Sequence, residues 1–133
     1  MTTKFYDEEH KAAFLDLLKR MKNTDCYHQA VAYLFTLDTV CRQHINDLFD
    51  FDENIIKRDG LHNGWQTGTS RKTTRLAFNL WNDCTSDGDT YIDNDGYKSD
   101  LPSSAYSVAE IFCCSYAPFY WQAIKLRYPE YAD

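Results

Sequence analysis

Apolar residues recur at helical spacing along most of this chain, and the recurrence stops twice, over 51–68 and over 83–100. Phe14, Leu17, Leu18 and Met21 fall at i, i+3, i+4 and i+7. That is one stripe on a helix, not the alternation of a half-buried strand. The helix is predicted over Asp7 to Asn23. Asp7, Glu8 and Glu9 crowd its first turn and Lys19, Arg20 and Lys22 its last, as the helix dipole favours. A second helix, capped by Thr24 or Asp25, turns Tyr27, Ala30, Val31 and Leu34 inward. A third runs from Thr39 to Asp50 with Cys41, Ile45 and Leu48 inward. Leu37-Asp38 is either a tight turn before it or a kink in one longer helix.

A fourth helix starts near Thr69-Ser70 and reaches Trp81 or Asn82, burying Leu76, Ala77, Leu80 and Trp81. Ser103 or Ser104 caps a fifth, with Ala105, Val108, Ala109, Phe112 and Tyr116 on one face. Pro118 suits the start of a sixth, through Tyr120, Ala123, Ile124 and Tyr128, and Pro129 ends it. Between these helices, Ile55-Ile56-Lys57 reads as a short extended piece, and Asp59-Gly60 and Asn63-Gly64 as turns. Tyr91-Ile92 and Tyr97-Lys98 around Asn94-Asp95-Gly96 suit a small hairpin. The expected fold is mainly α: a single compact domain over 1–133, five or six helices, two long loops flanking the fourth, and room for one small β-hairpin.

With 133 residues the chain has one core to fill, and an apolar share of 44% excludes a disordered polyelectrolyte. The net charge of −6 argues against a general nucleic-acid coat. That charge is local: residues 83–100 hold six acids and one base, which leaves the rest of the chain at −1. No run of 18 apolar residues is present, so no membrane span is expected, and the first ten residues are too acidic for a signal peptide. Five cysteines (Cys26, Cys41, Cys84, Cys113 and Cys114) make an odd set containing an adjacent pair. That favours reduced thiols and a cytoplasmic location. Cys41 and Cys113 lie in apolar helical patterns and read as small hydrophobes.

The segment Trp65, Gln66, Thr67, Gly68, Thr69, Ser70, Arg71, Lys72 and Arg75 joins a glycine turn to a helix N-terminus. Unpaired amides, hydroxyls and basic side chains there are the parts of an anion site, with Trp65 able to stack on a base. The same residues also read as an N-cap followed by solvated cations. The segment is not a phosphate-binding P-loop, because Gly68 is followed by Thr-Ser-Arg-Lys. Asp87, Asp89, Asp93 and Asp95 form an acidic loop. Setting Gly96 at position 6 of a calcium loop puts Tyr91 at position 1 and Pro102 at position 12, so the template fails. Cys26, His28, Cys41 and His44 do not have zinc-ligand spacing, and neither a nucleophile signature nor a metalloprotease helix is present. No catalytic residue, metal or cofactor is expected. The stretch from Tyr116 to Tyr131 is aromatic on more than one helix face, which suits a core helix or a homo-oligomer contact.

Five strings together resemble an uncharacterised family of short proteins from Firmicutes, their phages and integrative elements. They are Tyr27-His28-Gln29-Ala30, Gly64 to Ser70, Thr74 to Asn82, Cys113 to Pro118 and Lys125 to Tyr131. The resemblance runs from Phe5 to Tyr131, with 83–100 its poorest-matching part, and it brings no activity or catalytic residue. It implies an intracellular, mobile-DNA setting. The expected function is a non-enzymatic binding protein acting on a host protein or ribonucleoprotein of a defence system, such as CRISPR. Its working surface would include the loop Trp65 to Ser70, the basic turn Arg71, Lys72 and Arg75, and the acidic loop, which would imitate nucleic-acid phosphates. The alternatives are a module binding a nucleotide or other phosphate-bearing ligand at the fourth helix, and a metal-dependent hydrolase.

Overall fold

The structure, a computed structural model, describes residues 2–132. Helix α1 (Glu8–Met21) begins where the Asp7 carboxylate accepts the His10 amide and ends where Lys22 turns left-handed. Asp25 caps α2 (Cys26–Leu37) in the same way, through the amide of His28. Asp38 is extended and caps α3 (Thr39–Gln43), so the 37–38 junction is a tight turn. The predicted third helix does not continue. His44 leaves helical geometry, and a separate turn, α4 (Ile45–Leu48), leads into β1 (Phe49–Asp50). The expected extended piece is β2 (Ile55–Ile56), which pairs antiparallel with β1.

A 3-10 turn at Arg58–His62 precedes α5 (Gly68–Asn82), the fourth predicted helix. Then β3 (Ser86–Ile92) and β4 (Lys98–Pro102) form the hairpin, longer than its sequence signal. A 3-10 turn at Ser104–Tyr106 leads to α6 (Val108–Phe112), and α7 (Ala117–Arg127) ends before Pro129. Fold class and single-domain packing follow the sequence expectation. The helices number seven among the described residues because of the break at His44.

Helix α2 is the centre, packed by α1, α5 and α7. Every residue from Ala30 to Leu37 is buried, so α2 is covered all round rather than along one stripe. Thr36 is tolerated there because its hydroxyl donates to the Ala32 carbonyl at 2.7 Å. Tyr27, expected inward, is 42% exposed and lies under the Arg127 guanidinium, 3.8 Å from its ring centre. The fifth predicted helix is also rotated. Its cap is Ser107, after a 3-10 turn, so Ile111 points inward while Val108 and Ala109 face solvent. Cys113 is exposed just beyond α6, contrary to its reading as a packed residue, whereas Cys41 is buried.

His10 is buried, and its ring is committed on both sides. Nδ1 accepts the Tyr6 amide at 3.1 Å, so Nε2 carries the proton and donates to the Tyr33 carbonyl at 2.9 Å. Burial holds its pKa below the ordinary 6.5, and Arg42 adds to that. The bond to the Tyr33 carbonyl and the charge of Asp7 oppose it. In the unfolded chain His10 takes up a proton near 6.5, whereas the folded chain resists it to lower pH. Its contribution is therefore complete above 6.5 and is lost as pH falls below that value. Denaturation midpoints should drop between about pH 7 and 5, and His10→Gln, less stable at neutral pH, should show a flatter slope across that window. An equal slope in both proteins would assign the acid sensitivity to other groups.

Candidate functional site

The N-terminus of α5 is closed on itself. The Thr67 hydroxyl accepts the Ser70 amide at 3.0 Å, and the Ser70 hydroxyl accepts the Thr67 amide at 2.7 Å. This reciprocal box satisfies two amides of the turn. The Ser70 hydroxyl donates onward to Gln66 Oε1 at 2.5 Å. Gln66, buried, donates to the Gly60 carbonyl at 3.1 Å and to Thr74 at 3.2 Å. Trp65 stacks on His44 with ring centroids 4.3 Å apart, and its indole N–H donates to Asp47 at 3.0 Å. Lys72 donates to the Glu110 carbonyl. Gly68 and Thr69 are exposed, and Arg71 is half-buried and forms none of the ion pairs among the described residues.

Arg75 joins this segment to the acidic one. Its Nε and Nη2 donate to the two carboxylate oxygens of Asp87 at 3.0 and 3.1 Å. Asp87 also accepts the Ser103 hydroxyl at 3.2 Å, and both partners of the ion pair are largely buried. A two-pronged, sheltered guanidinium–carboxylate pair is among the stronger side-chain contacts a small domain can make. Arg58 makes a looser and exposed approach, 3.6 Å from Asp100, and donates to the Ser86 carbonyl at 3.4 Å. His62 contacts the Asp87 carbonyl beside Gly88, which has φ +102° and so suits glycine.

A model of a family of unknown function, DUF6075, matches residues 1–133. The chain belongs to this family. No curated protein and no solved structure matches it.

In this DUF6075 chain the hairpin therefore has an anchored base and a free outer half. Thr90, Tyr91 and Ile92 pair with Asp100, Ser99 and Lys98, and a bulge separates them from the Ser86–Pro102 pair. Asp93 shapes the turn by accepting the amides of Asp95 and Tyr97, each at 2.9 Å. Asp89 and Asp95 stay exposed. Beside them Ile92 and Tyr97 are 73% and 71% exposed, and Tyr91 and Leu101 about half exposed. These four residues, and the anchor Arg58, lay outside the sequence-derived site. The hairpin pattern placed Tyr91, Ile92 and Tyr97 on the hairpin but gave no sign that they would stand exposed.

The cysteine–histidine spacing does not produce a centre. His28 is held by Asp25 and Asn54, Cys41 is buried against Thr74, and His44 stacks on Trp65. Among the described residues no three His, Cys, Asp or Glu side chains converge as metal ligands, and no helix is long and apolar enough to cross a membrane.

Proposed function

We propose that this chain is a non-enzymatic binding protein that works through protein contacts, with the β3–β4 hairpin as its recognition element. The observation that carries the reading is the division of the hairpin. Arg75–Asp87 and the bond from Arg58 to the Ser86 carbonyl hold its base, while Tyr91, Ile92, Tyr97 and Leu101 stand exposed among Asp89, Asp93 and Asp95. Apolar anchors supply affinity, and the carboxylates select a basic partner and steer its approach. A basic groove that ordinarily holds nucleic-acid phosphates fits that description. Together with the family resemblance, this supports a protein of a phage or integrative element that acts in the cytoplasm on a host defence ribonucleoprotein, in the manner of an anti-CRISPR protein. The phosphate-ligand alternative retains the Gly68 and Thr69 amides and Arg71.

Affinity capture from host lysate tests the reading. A double variant, Ile92→Ser with Tyr97→Ser, should reduce recovery of a basic partner about tenfold or more. Arg71→Ala should leave it unchanged. Undiminished recovery with the hairpin variant would sink this surface. Calorimetric heat with a nucleotide, lost in Arg71→Ala, would favour the alternative.

A further inference from the structure

The two edges of the β3–β4 hairpin are unlike. The Asp93 amide donates to the Tyr97 carbonyl at 2.9 Å and closes the ladder. Bonded and non-bonded pairs alternate from there, so Tyr91–Ser99 is a bonded pair, while Ile92–Lys98 and Thr90–Asp100 are not. The N–H and carbonyl of Thr90 and Ile92 therefore point away from β4, and those of Lys98 and Asp100 away from β3. None of these outward groups has a main-chain partner among the described residues.

Proteins ordinarily blunt an edge strand with lysine, proline or a covering element. On the β4 side Lys98 and Pro102 do so. On β3, His62 covers the root through its contact with the Asp87 carbonyl. Residues 88–92 beyond it are all exposed, and none is lysine or proline. The outer half of β3 is thus the open edge, and a two-stranded ribbon with such an edge is a template for a third strand.

Charge selects that strand. Asp89 and Asp93 flank the run from Thr90 to Ile92, and neither forms an ion pair among the described residues. An antiparallel second copy that paired its Ile92 with Thr90 would set its Asp93 opposite Asp89, and like charges so placed destabilise a sheet. Nucleic acid is repelled by the same carboxylates, whereas a segment bearing lysine or arginine is attracted. Alternation puts Tyr91 and Asp93 on one face of β3 and Thr90 and Ile92 on the other. A strand that alternates a cation with an apolar residue meets both faces at once, its cations beside Asp93 and its apolar side chains beside Ile92.

We propose that the outer edge of β3 takes up an extended, lysine- or arginine-bearing segment of a partner protein as a third strand. This rests on the hairpin being the recognition element. It adds that the partner is held by the main chain of Thr90 and Ile92 as well as by exposed side chains.

Titration of the full chain with a short peptide that alternates lysine and valine tests it. The peptide should bind, and its glutamate–valine counterpart should bind about tenfold or more weakly. Methyl groups on the valine amides and methyl groups on the lysine amides fall on opposite edges of the peptide strand. One methylated form should lose about tenfold or more, and the other should bind like the parent. Thr90→Pro removes an outward N–H, keeps every exposed apolar side chain, and stands where an edge strand tolerates proline. It should weaken the lysine–valine peptide about tenfold or more, with the Tyr91–Ser99 pairing still visible by nuclear magnetic resonance. Should that variant lose the hairpin, the two methylated peptides decide. No binding by the lysine–valine peptide, equal binding by the glutamate form, equal effects of the two methylations, or full binding by a folded Thr90→Pro would each overturn strand addition. So would a dimer in sedimentation that Thr90→Pro dissolves, which would give the edge to a second copy. If Ile92→Ser with Tyr97→Ser loses partner capture while folded Thr90→Pro keeps it, strand addition falls and the hairpin reading stands. If neither loses capture, both fall.

Discussion

Phe35→Ala should lower the unfolding free energy by about 3–5 kcal/mol, a large part of the roughly 5–15 kcal/mol that holds a domain of this size together. Phe35 has no exposed surface, and its ring meets that of Phe78 edge-on with centroids 6.4 Å apart. It sits on the helix that α1, α5 and α7 all cover, so truncation opens a cavity that no single neighbour can close by moving. Urea titration should show a lower midpoint with an unchanged slope. Leu15→Ala, at a position 56% exposed on α1, should stay within about 0.5 kcal/mol of the wild type. If the two variants lost similar stability, α2 would not be the centre of the core.

The role of α2 was only half legible. Helical spacing placed the helix and its Asp25 cap. A one-stripe reading, however, chose Tyr27, Ala30, Val31 and Leu34 and passed over Ala32, Tyr33, Phe35 and Leu37, all buried. Spacing cannot distinguish one covered face from two when nearly every residue is apolar. Of the caps read from the sequence, Asp25 does cap α2, because its carboxylate needs only a backbone amide three residues on, whereas the caps at Asp7 and Thr67 were not read. The fifth predicted helix came out rotated for the converse reason. Ser103, Ser104 and Ser107 can each cap, and the choice among them sets the phase of every later residue.

The candidate site divided along the same line. The turn chemistry of 65–70 was visible, but its hydroxyls serve the helix itself. Arg75 and Asp87 were each singled out for a different role, an anion site and an acidic loop, and the structure bonds them to each other. That pairing crosses the end of α5 and a chain reversal, and no periodicity reports it. It explains how so much negative charge can sit in one hairpin, since its two innermost carboxylates face arginines.

Gly60→Ala should cost about 3 kcal/mol, the upper end of what overpacking ordinarily exacts. The sequence offers Gly60 as half of a turn dipeptide, where glycine would serve a positive φ. Its φ is not among the positive ones, and the constraint is space. A Cβ there would stand 2.3 Å from the Asp47 carbonyl oxygen and 2.9 Å from Leu48 Cδ2. The first of these is backbone of α4 and cannot rotate away. The turn cannot easily withdraw either. Its amide donates to the Lys57 carbonyl at 3.1 Å, and its carbonyl accepts the buried Gln66 amide at 3.1 Å. Withdrawal would also carry Arg58 and His62, which hold the hairpin base. Gly60→Ala should therefore both lower the denaturation midpoint and speed amide exchange at Thr90 to Ile92, away from the substitution. Gly68→Ala has open space around its Cβ and lies in the first turn of α5, so it should be neutral or stabilising by up to about 1 kcal/mol. If Gly60→Ala matched Gly68→Ala in stability, the turn could not lie against α4 as described. If stability fell while hairpin exchange held, the hairpin would be anchored by Arg75 without help from the turn.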